Sequence, residues 1–127
     1  LGGPELPAAG FAIGDVTLTD CLDRRNLLPQ GTENPEIITI LGGETERLEA
    51  IKDITNLRRA GFSVAYPLKN QGFGKQFKSA GKSGAKIALI YGGDELSEGK
   101  VKIRNLSTGE ENLVDRSELE IKVRGLF

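Results

Sequence analysis

The sequence predicts an α/β domain, because two short apolar segments flank a helical pattern within about 30 residues. The first segment, Glu36–Leu41, contains the run Ile-Ile-Thr-Ile, which is typical of a strand buried in a parallel sheet. The second segment is Phe62–Tyr66. Between them, apolar residues recur at every third position: Leu48, Ile51, Ile54 and Leu57. A strand, helix, strand unit of this length predicts parallel strands joined by a right-handed crossover.

The turn that precedes this helix, Gly42-Gly43, is not expected to bind a nucleotide. Its sequence matches neither the dinucleotide pattern nor the Walker pattern. Glu44 and Glu46 follow it, and their carboxylates would repel an anion at the start of the helix.

The elements that follow continue the α/β pattern. They are a helix over Phe73–Lys82, a strand over Lys86–Tyr91, a turn or short helix over Gly92–Leu96, a strand over Lys100–Asn105, and a hairpin turn at Ser107–Gly109 that leads into Glu111–Asp115. The last segment is ambiguous. Leu119, Ile121 and Val123 alternate as in a strand, whereas Ser117 and the glutamates after it would equally begin a helix.

The start of the chain has a different pattern. Pro7–Gly14 is small and apolar and is predicted to form a strand. It runs into apolar residues at helical spacing, so a helix is predicted that ends near Asn26. Two prolines, a glycine and polar residues then fill Pro29–Pro35, and residues 30–35 are predicted to be a linker.

Composition limits the chemistry of this chain. Its 127 residues suffice for one ordinary domain, and no apolar stretch approaches the roughly 18 residues that span a bilayer. The chain has no histidine, and its single cysteine, Cys21, can form neither an internal disulfide nor a structural zinc site. We interpret Cys21 as a small core residue in a reducing, cytoplasmic setting. The absence of methionine suggests a piece of a longer protein.

The net charge of -1 conceals a cationic segment. Residues 67–93 contain five lysines and no acidic residue. Residues 1–66 contain six basic and ten acidic residues, and residues 94–127 contain six and eight. A basic cluster of this kind is typical of phosphate binding, whatever the charge of the whole chain.

The predicted helix over Phe73–Lys82 separates its lysines from its apolar residues. At about 100° per residue, Lys78 and Lys82 lie within about 60° of Lys75. The residues on the opposite side are Phe73, Phe77 and Ala80. Such a row is either a solvated face or a surface for a nucleic-acid backbone. The second interpretation gains weight because no glutamate is interleaved with these lysines.

A second cationic row is predicted on Lys100–Asn105, where Lys100, Lys102 and Arg104 share one face. This row either faces solvent or lines the same surface as the helical lysines. Base identity would need hydrogen-bonding side chains nearby. The candidates are Asn70, Gln76, Glu95 and Arg104. Asp94 beside Glu95 is interpreted as an acidic turn and not as a metal site.

Taken in this order, the segments resemble the histidyl-tRNA synthetases. Leu1-Gly2-Gly3-Pro4 followed by Pro7–Gly14 is similar to the approach to the third motif of class II synthetases. Ile37 to the C-terminus is similar to the anticodon-binding domain that this family shares with the threonyl, prolyl and glycyl enzymes. Its most specific stretches are Gly74–Ala80, Gly92–Glu95 and Gly99-Lys100-Val101. The resemblance covers nearly the whole chain.

The resemblance implies a three-layer α/β/α anticodon-binding domain with a five-stranded mixed sheet over residues 36–127. Residues 1–29 would be the end of a class II catalytic domain. The intact parent would be a cytoplasmic homodimer that joins histidine to its tRNA through an aminoacyl-adenylate, with ATP and Mg²⁺. The fragment alone would bind tRNA, would not contact a membrane, and would have no catalytic activity, cofactor or metal of its own.

The resemblance also implies roles for individual residues. Anticodon contacts are expected from Asn70, Lys78, Glu95 and Arg104, with Gln76 as a further candidate and Lys75 added from the lysine row. Positions similar to the ATP-binding third motif are Gly10, Phe11, Gly14 and Thr17. Thr17 stands where the family has an arginine that contacts ATP.

Two other functions stay open at this point. One is a noncatalytic accessory or regulatory protein that uses the domain for protein contacts. The other is a small flavodoxin-like binding domain with no role in RNA binding.

Overall fold

The structure is a computed structural model that describes Gly3, residues 5–28 and residues 34–127. The chain divides into two compact units, residues 1–32 and residues 33–127. The described part of the first contains one helix, α1 (Asp15–Asp23). The elements of the second are β1 (Ile37–Leu41), α2 (Glu44–Arg59), β2 (Val64–Ala65), α3 (Phe73–Ala80), β3 (Ile87–Tyr91), α4 (Gly93–Ser97), β4 (Lys100–Asn105), β5 (Glu111–Asp115), a 3-10 turn (Arg116–Glu118) and α5 (Leu119–Arg124).

The second unit is built on a five-stranded mixed sheet with the order β2-β1-β3-β4-β5. β1 lies parallel to both β2 and β3, whereas β4 and β5 extend the sheet as antiparallel strands. The register pairs Ile37 with Val64 on one side and Leu41 with Tyr91 on the other. The predicted α/β class and mixed five-stranded sheet are therefore confirmed. β2 is shorter than the predicted Phe62–Tyr66.

Helices cover both faces of this sheet. One face carries α2 and α5, and its core includes Ile54, Leu57, Leu119 and Val123. The other face carries α3, whose Phe77 and Ala80 pack on the alternate side chains of β1 and β3: Ile38, Ile40, Ala88 and Ile90. Because strand side chains alternate in direction, the two cores are separate and the unit has three layers. Among the described residues, no helix is long and apolar enough to cross a membrane.

Only two of the four apolar positions that predicted α2 are buried. Ile54 and Leu57 are buried, but Leu48 and Ile51 are 61% and 40% exposed. A repeat of three residues turns by about 60° per step on a helix of 3.6 residues per turn, so four such positions spread over about half the circumference. Ala50 completes the buried stripe instead.

The ambiguous C-terminal segment is a helix. Leu119 and Val123 are four residues apart and buried, whereas Ile121 is 74% exposed. Side chains at i and i+4 share a helical face, while the residue between them points away. A strand would have placed all three on one face.

The strand predicted over Pro7–Gly14 is wrong, since the structure has no strand between residues 5 and 14. A strand needs a neighbouring strand for its peptide groups, and no described strand pairs with this segment. The helix that follows is present as α1. Most of the predicted linker, residues 30–33, lies outside the described residues.

A polar network joins the 3-10 turn to α2 and the sheet. Arg116 donates through Nε to Asp53 Oδ2 at 2.7 Å and through Nη1 to Glu49 Oε2 at 3.0 Å. The Tyr91 hydroxyl also donates to Asp53 Oδ2, at 3.2 Å. Burial, followed by the charge and the hydrogen bond of Asp53, raises the pKa of Tyr91 well above its ordinary value. Asp53 is thus a buried carboxylate with both partners in place.

Tyr91→Phe is expected to lower the free energy of unfolding by about 1 kcal/mol at neutral pH, because one buried hydrogen bond is lost. A raised folded pKa gives stability that is complete below the unfolded pKa of about 10 and declines as pH rises above it. Denaturant unfolding between pH 8 and 11 should therefore show the difference shrinking with pH. Parallel pH curves for the two proteins would contradict this role of Tyr91.

Candidate nucleic-acid interface

The candidate interface lies where the parallel strands end. β1 and β3 are adjacent, and the helices that follow β1 and precede β3, α2 and α3, pack on opposite faces of the sheet. The carboxyl ends of such strands form the crevice in which open α/β sheets bind ligands. Both strands end in glycine pairs, Gly42-Gly43 and Gly92-Gly93. Of the predicted anticodon-binding residues, two lie near these turns, three on α3 and one on β4: Asn70 and Glu95; Lys75, Gln76 and Lys78; and Arg104.

Carboxylates occupy the space beside both glycine turns. A Cβ on Gly43 would lie 3.0 Å from Glu46 Oε2, and a Cβ on Gly92 would overlap the carboxylate of Glu95. Each glutamate is the third residue of the helix that begins there. A phosphate at these helix starts would meet a negative charge, which agrees with the prediction that Gly42-Gly43 is not a nucleotide-binding turn.

α3 presents a lysine face to solvent, made of Lys75, Lys78 and Lys82, the last of which lies just beyond the helix. All three side chains are exposed. Within the described part of the chain, no carboxylate lies within 4.0 Å of their ammonium groups. Ala80 is buried on the opposite side of the helix. The lysine face therefore carries uncompensated positive charge.

The second predicted row lies on the same sheet face as α3 but is not a free cationic surface. Arg104 stacks over the ring of Phe77 at 5.6 Å, which places it beside the helix. Each of the three cations has a glutamate partner: Lys100 pairs with Glu98 at 2.8 Å, Lys102 with Glu95 at 3.1 Å, and Arg104 with Glu111 at 3.0 Å. The row therefore lies on the side of the sheet that carries α3, one of the two predicted placements, but its charges are paired. β5 places Glu111 directly opposite Arg104.

A cleft of about 380 Å³ opens beside α3. Two aromatic rings, Phe73 and Phe77, contribute to its wall, and Asp94, Glu95 and Glu111 add carboxylates. A hydrogen bond from its own backbone N–H, and then the Lys102 ammonium group, lower the pKa of Glu95. Glu95 is therefore ionised at neutral pH and acts as a hydrogen-bond acceptor. Among the described residues, no group of three or more acidic or cysteine side chains is arranged to hold a metal.

Gln76 lies inside the domain and not on its surface. Its side-chain oxygen accepts from the N–H of Leu41 at 2.8 Å, and its Nε2 donates to the C=O of Leu41 at 2.8 Å and to the C=O of Gln71 at 2.6 Å. The residue is 4% exposed. Its hydrogen-bonding groups serve the fold, so the amide is not presented to a ligand.

Asn70 is exposed and lines a separate small cleft at the carboxyl end of β1, where Arg47 holds it. The Arg47 guanidinium donates to Asn70 Oδ1 at 2.8 Å and to the C=O of Pro67 at 2.6 Å. Neither Arg47 nor Glu111 was predicted from the sequence. The one local signal for Arg47 is a cation in the otherwise acidic first turn of α2, where it is unfavourable for the helix dipole.

The residues similar to the ATP-binding third motif belong to the first unit. Gly10, Phe11, Gly14 and Thr17 are all exposed, and none carries a positive charge for a triphosphate. Cys21 was expected to be a core residue, but it is only half-buried. Its Sγ accepts a hydrogen bond from Arg25 Nη1 at 2.8 Å.

Comparisons with known proteins identify a family and several relatives for this chain. The family described as "Anticodon binding domain" matches residues 37–126. A histidine–tRNA ligase from Opitutus terrae is 53% identical over the whole chain, and one from Synechococcus elongatus is 38% identical over 94% of it. A crystal structure of histidyl-tRNA synthetase from Nostoc sp. superposes with a TM-score of 0.66 at 25% identity, over 89% of this chain and 28% of that one.

The three-layer domain with its crevice at the strand ends is thus an α/β nucleic-acid-binding module. The chain belongs to the anticodon-binding domain family. The resemblance to histidyl-tRNA synthetases is confirmed by a ligase that matches along the full chain and by a solved structure that covers 89% of it. The chain spans 29% and 27% of the two ligases named above.

Gln76→Ala is expected to destabilise the domain strongly, because it leaves the buried N–H and C=O of Leu41 without partners. Each orphaned group costs about 1 to 3 kcal/mol. Lys75→Ala, one residue away but exposed, should change stability by less than about 0.5 kcal/mol. Equal denaturation midpoints for the two variants would show that the Gln76 amide is dispensable.

Proposed function

We propose that this chain is the tRNA anticodon-binding region of a histidine–tRNA ligase. The observation that carries the proposal is the lysine face of α3, which lies beside a crevice with both aromatic and hydrogen-bonding side chains. Single-stranded RNA loops are bound in this way, through charge on the backbone and through stacking and hydrogen bonds on splayed bases. Sequence similarity along the whole chain supports the same conclusion.

The charges of the interface residues indicate which side chains would contact phosphates and which would contact bases. Lys75 and Lys78, which have no carboxylate partner, would attract phosphates without regard to sequence. Glu95 and Asn70 would contact base edges, since one offers acceptors and the other offers an amide. Arg104 is already paired with Glu111 and stacked on Phe77, so it would present a guanidinium plane for base stacking more than a free charge.

The intact parent is proposed to activate histidine with ATP and Mg²⁺ and to act as a cytoplasmic homodimer. The catalytic groups for that reaction lie outside this chain. Gly10, Phe11 and Gly14 would contribute backbone and ring contacts to ATP, and Thr17 supplies a hydroxyl where the family has a guanidinium. That substitution favours the alternative of a noncatalytic, synthetase-like accessory protein. Histidine-dependent aminoacylation of tRNA by the full-length protein would separate the two, because an accessory protein would bind without charging.

The phosphate contacts are testable with a synthetic histidine-tRNA anticodon stem-loop. Changing Lys75 and Lys78 together to Ala should weaken binding and lower the slope of log affinity against log salt by about 0.7 for each phosphate that is no longer neutralised. Lys122→Ala is the matched control, because Lys122 is also exposed but lies on α5, on the other face of the sheet. If the slope is unchanged by the double substitution, the lysine face does not bind phosphate.

If Glu95 contacts a base, its replacement should change discrimination among bases more than overall affinity. Glu95→Gln removes the charge but keeps the shape, so overall affinity should stay the same or rise while discrimination among single-base variants of the loop falls by about tenfold. Glu98→Gln is the control, since it neutralises an exposed carboxylate at the end of the same short helix. Equal discrimination in both variants would remove Glu95 from base reading.

A further inference from the structure

The loop between β2 and α3 is fixed by one arginine. Arg47 reaches from the first turns of α2 and donates to the C=O of Pro67 at 2.6 Å and to Asn70 Oδ1 at 2.8 Å. Its Nε also bonds Glu44 Oε2 at 3.2 Å. Only 12% of the Arg47 side chain is exposed, so its packing and hydrogen bonds allow it little freedom. The position of Asn70 is therefore set by α2 and not by its own loop alone.

This contact also sets the orientation of the Asn70 amide. A guanidinium group has five N–H donors and no acceptor, so only the oxygen of an amide can face it. The amide nitrogen of Asn70 must then point away from Arg47. It donates to no other described residue, and Asn70 is exposed. Two N–H donors are consequently presented to solvent in a fixed direction.

Further hydrogen-bond donors line the cleft beside Asn70. A small cleft of about 20 Å³ at the carboxyl end of β1 is lined by Arg47, Lys69 and Asn70 among others, and by no acidic side chain. That volume holds about one water, so a base would lie across its mouth and not inside it. Gln76, at its floor, is already bonded to Leu41.

We propose that Arg47 orients Asn70 as a hydrogen-bond donor, so that Asn70 selects the acceptor edge of one unpaired base of the bound RNA. The ligand group is a base carbonyl oxygen or an unprotonated ring nitrogen. This inference rests on the proposed RNA-binding function and adds to it a positioning residue, Arg47, and the hydrogen-bonding character of the base edge that Asn70 would contact. A base with donors on that edge would meet N–H groups and would be disfavoured.

Asn70→Asp tests the donor directly. Aspartate keeps an oxygen for Arg47 and the shape of the side chain, but it has no N–H to offer. Gln71→Glu adds the same negative charge one residue along and serves as the control. The probe is the anticodon stem-loop RNA, intact and with each loop base in turn replaced by an abasic nucleotide.

The expected result is a position-specific loss. Asn70→Asp should bind the intact loop about tenfold more weakly than Gln71→Glu does. At one loop position, the abasic replacement should weaken binding by the unchanged protein and have no further effect on Asn70→Asp. Gln71→Glu should retain the response to that replacement. If both variants respond alike at every position, Asn70 is not a base donor, although salt-dependent binding would leave the proposed function intact.

Arg47 is tested through the same readout. Arg47→Met keeps the aliphatic packing but cannot hold the Asn70 oxygen, so it should lose the dependence on the same loop base. Arg47→Lys retains one donor and should restore part of that dependence, whereas a purely structural role would alter only the unfolding midpoint. Full base dependence in Arg47→Met would overturn the positioning role. Failure of the unchanged chain to bind any stem-loop would refute the proposed function itself.

Discussion

The amide of Gln76 replaces a neighbouring strand at the end of β1, and the position of α3 depends on it. Gly42 donates its N–H to Tyr91 on β3, so the peptide groups of Leu41, one residue earlier, point away from β3. β2 is only two residues long and does not reach that far. A glutamine amide offers one donor edge and one acceptor edge, as a peptide group does, and it satisfies both groups of Leu41. Burying Gln76 turns the lysine face of α3 outward, so an internal polar contact determines which charges the domain presents.

The two cationic rows on this side of the sheet differ in charge compensation, because acidic side chains lie beside one row and not beside the other. The lysine face stands on a helix whose own sequence has no acid, and no neighbouring element brings one within reach among the described residues. The cations of β4 lie on a strand whose antiparallel partner is fixed in register by a tight hairpin, and that register sets Glu111 against Arg104. Half-exposed pairs of this kind contribute little to stability. Their effect here is to neutralise the three cations of β4, whereas the lysines of α3 keep their charge uncompensated.

Local patterns were enough to predict most elements, because helical and strand periodicities depend on residues a few positions apart. The strand, helix, strand unit that begins with β1 and the lysine face of α3 both follow from such patterns. The features that the sequence alone could not show depend on contacts between residues that lie far apart in the chain. Glutamine is normally exposed, so the burial of Gln76 against Leu41, 35 residues away, left no local signal. Arg47 likewise contacts groups 20 and 23 residues further along, and its role was missed for that reason.

The crevice is divided by charge, and this division constrains how an RNA loop would lie on it. Glu46 and Glu95 fill the helix starts after β1 and β3, so phosphates are disfavoured at the strand ends, where helix dipoles would otherwise attract them. The lysine face attracts phosphates on the outside of α3 instead. A chain whose backbone follows that helix would turn its bases toward the sheet edge, where Asn70 offers donors on one side and Glu95 offers acceptors on the other. A base that presents acceptors would then bond Asn70, and a base that presents donors would bond Glu95. The lysine face of α3 would supply affinity without distinguishing one base from another.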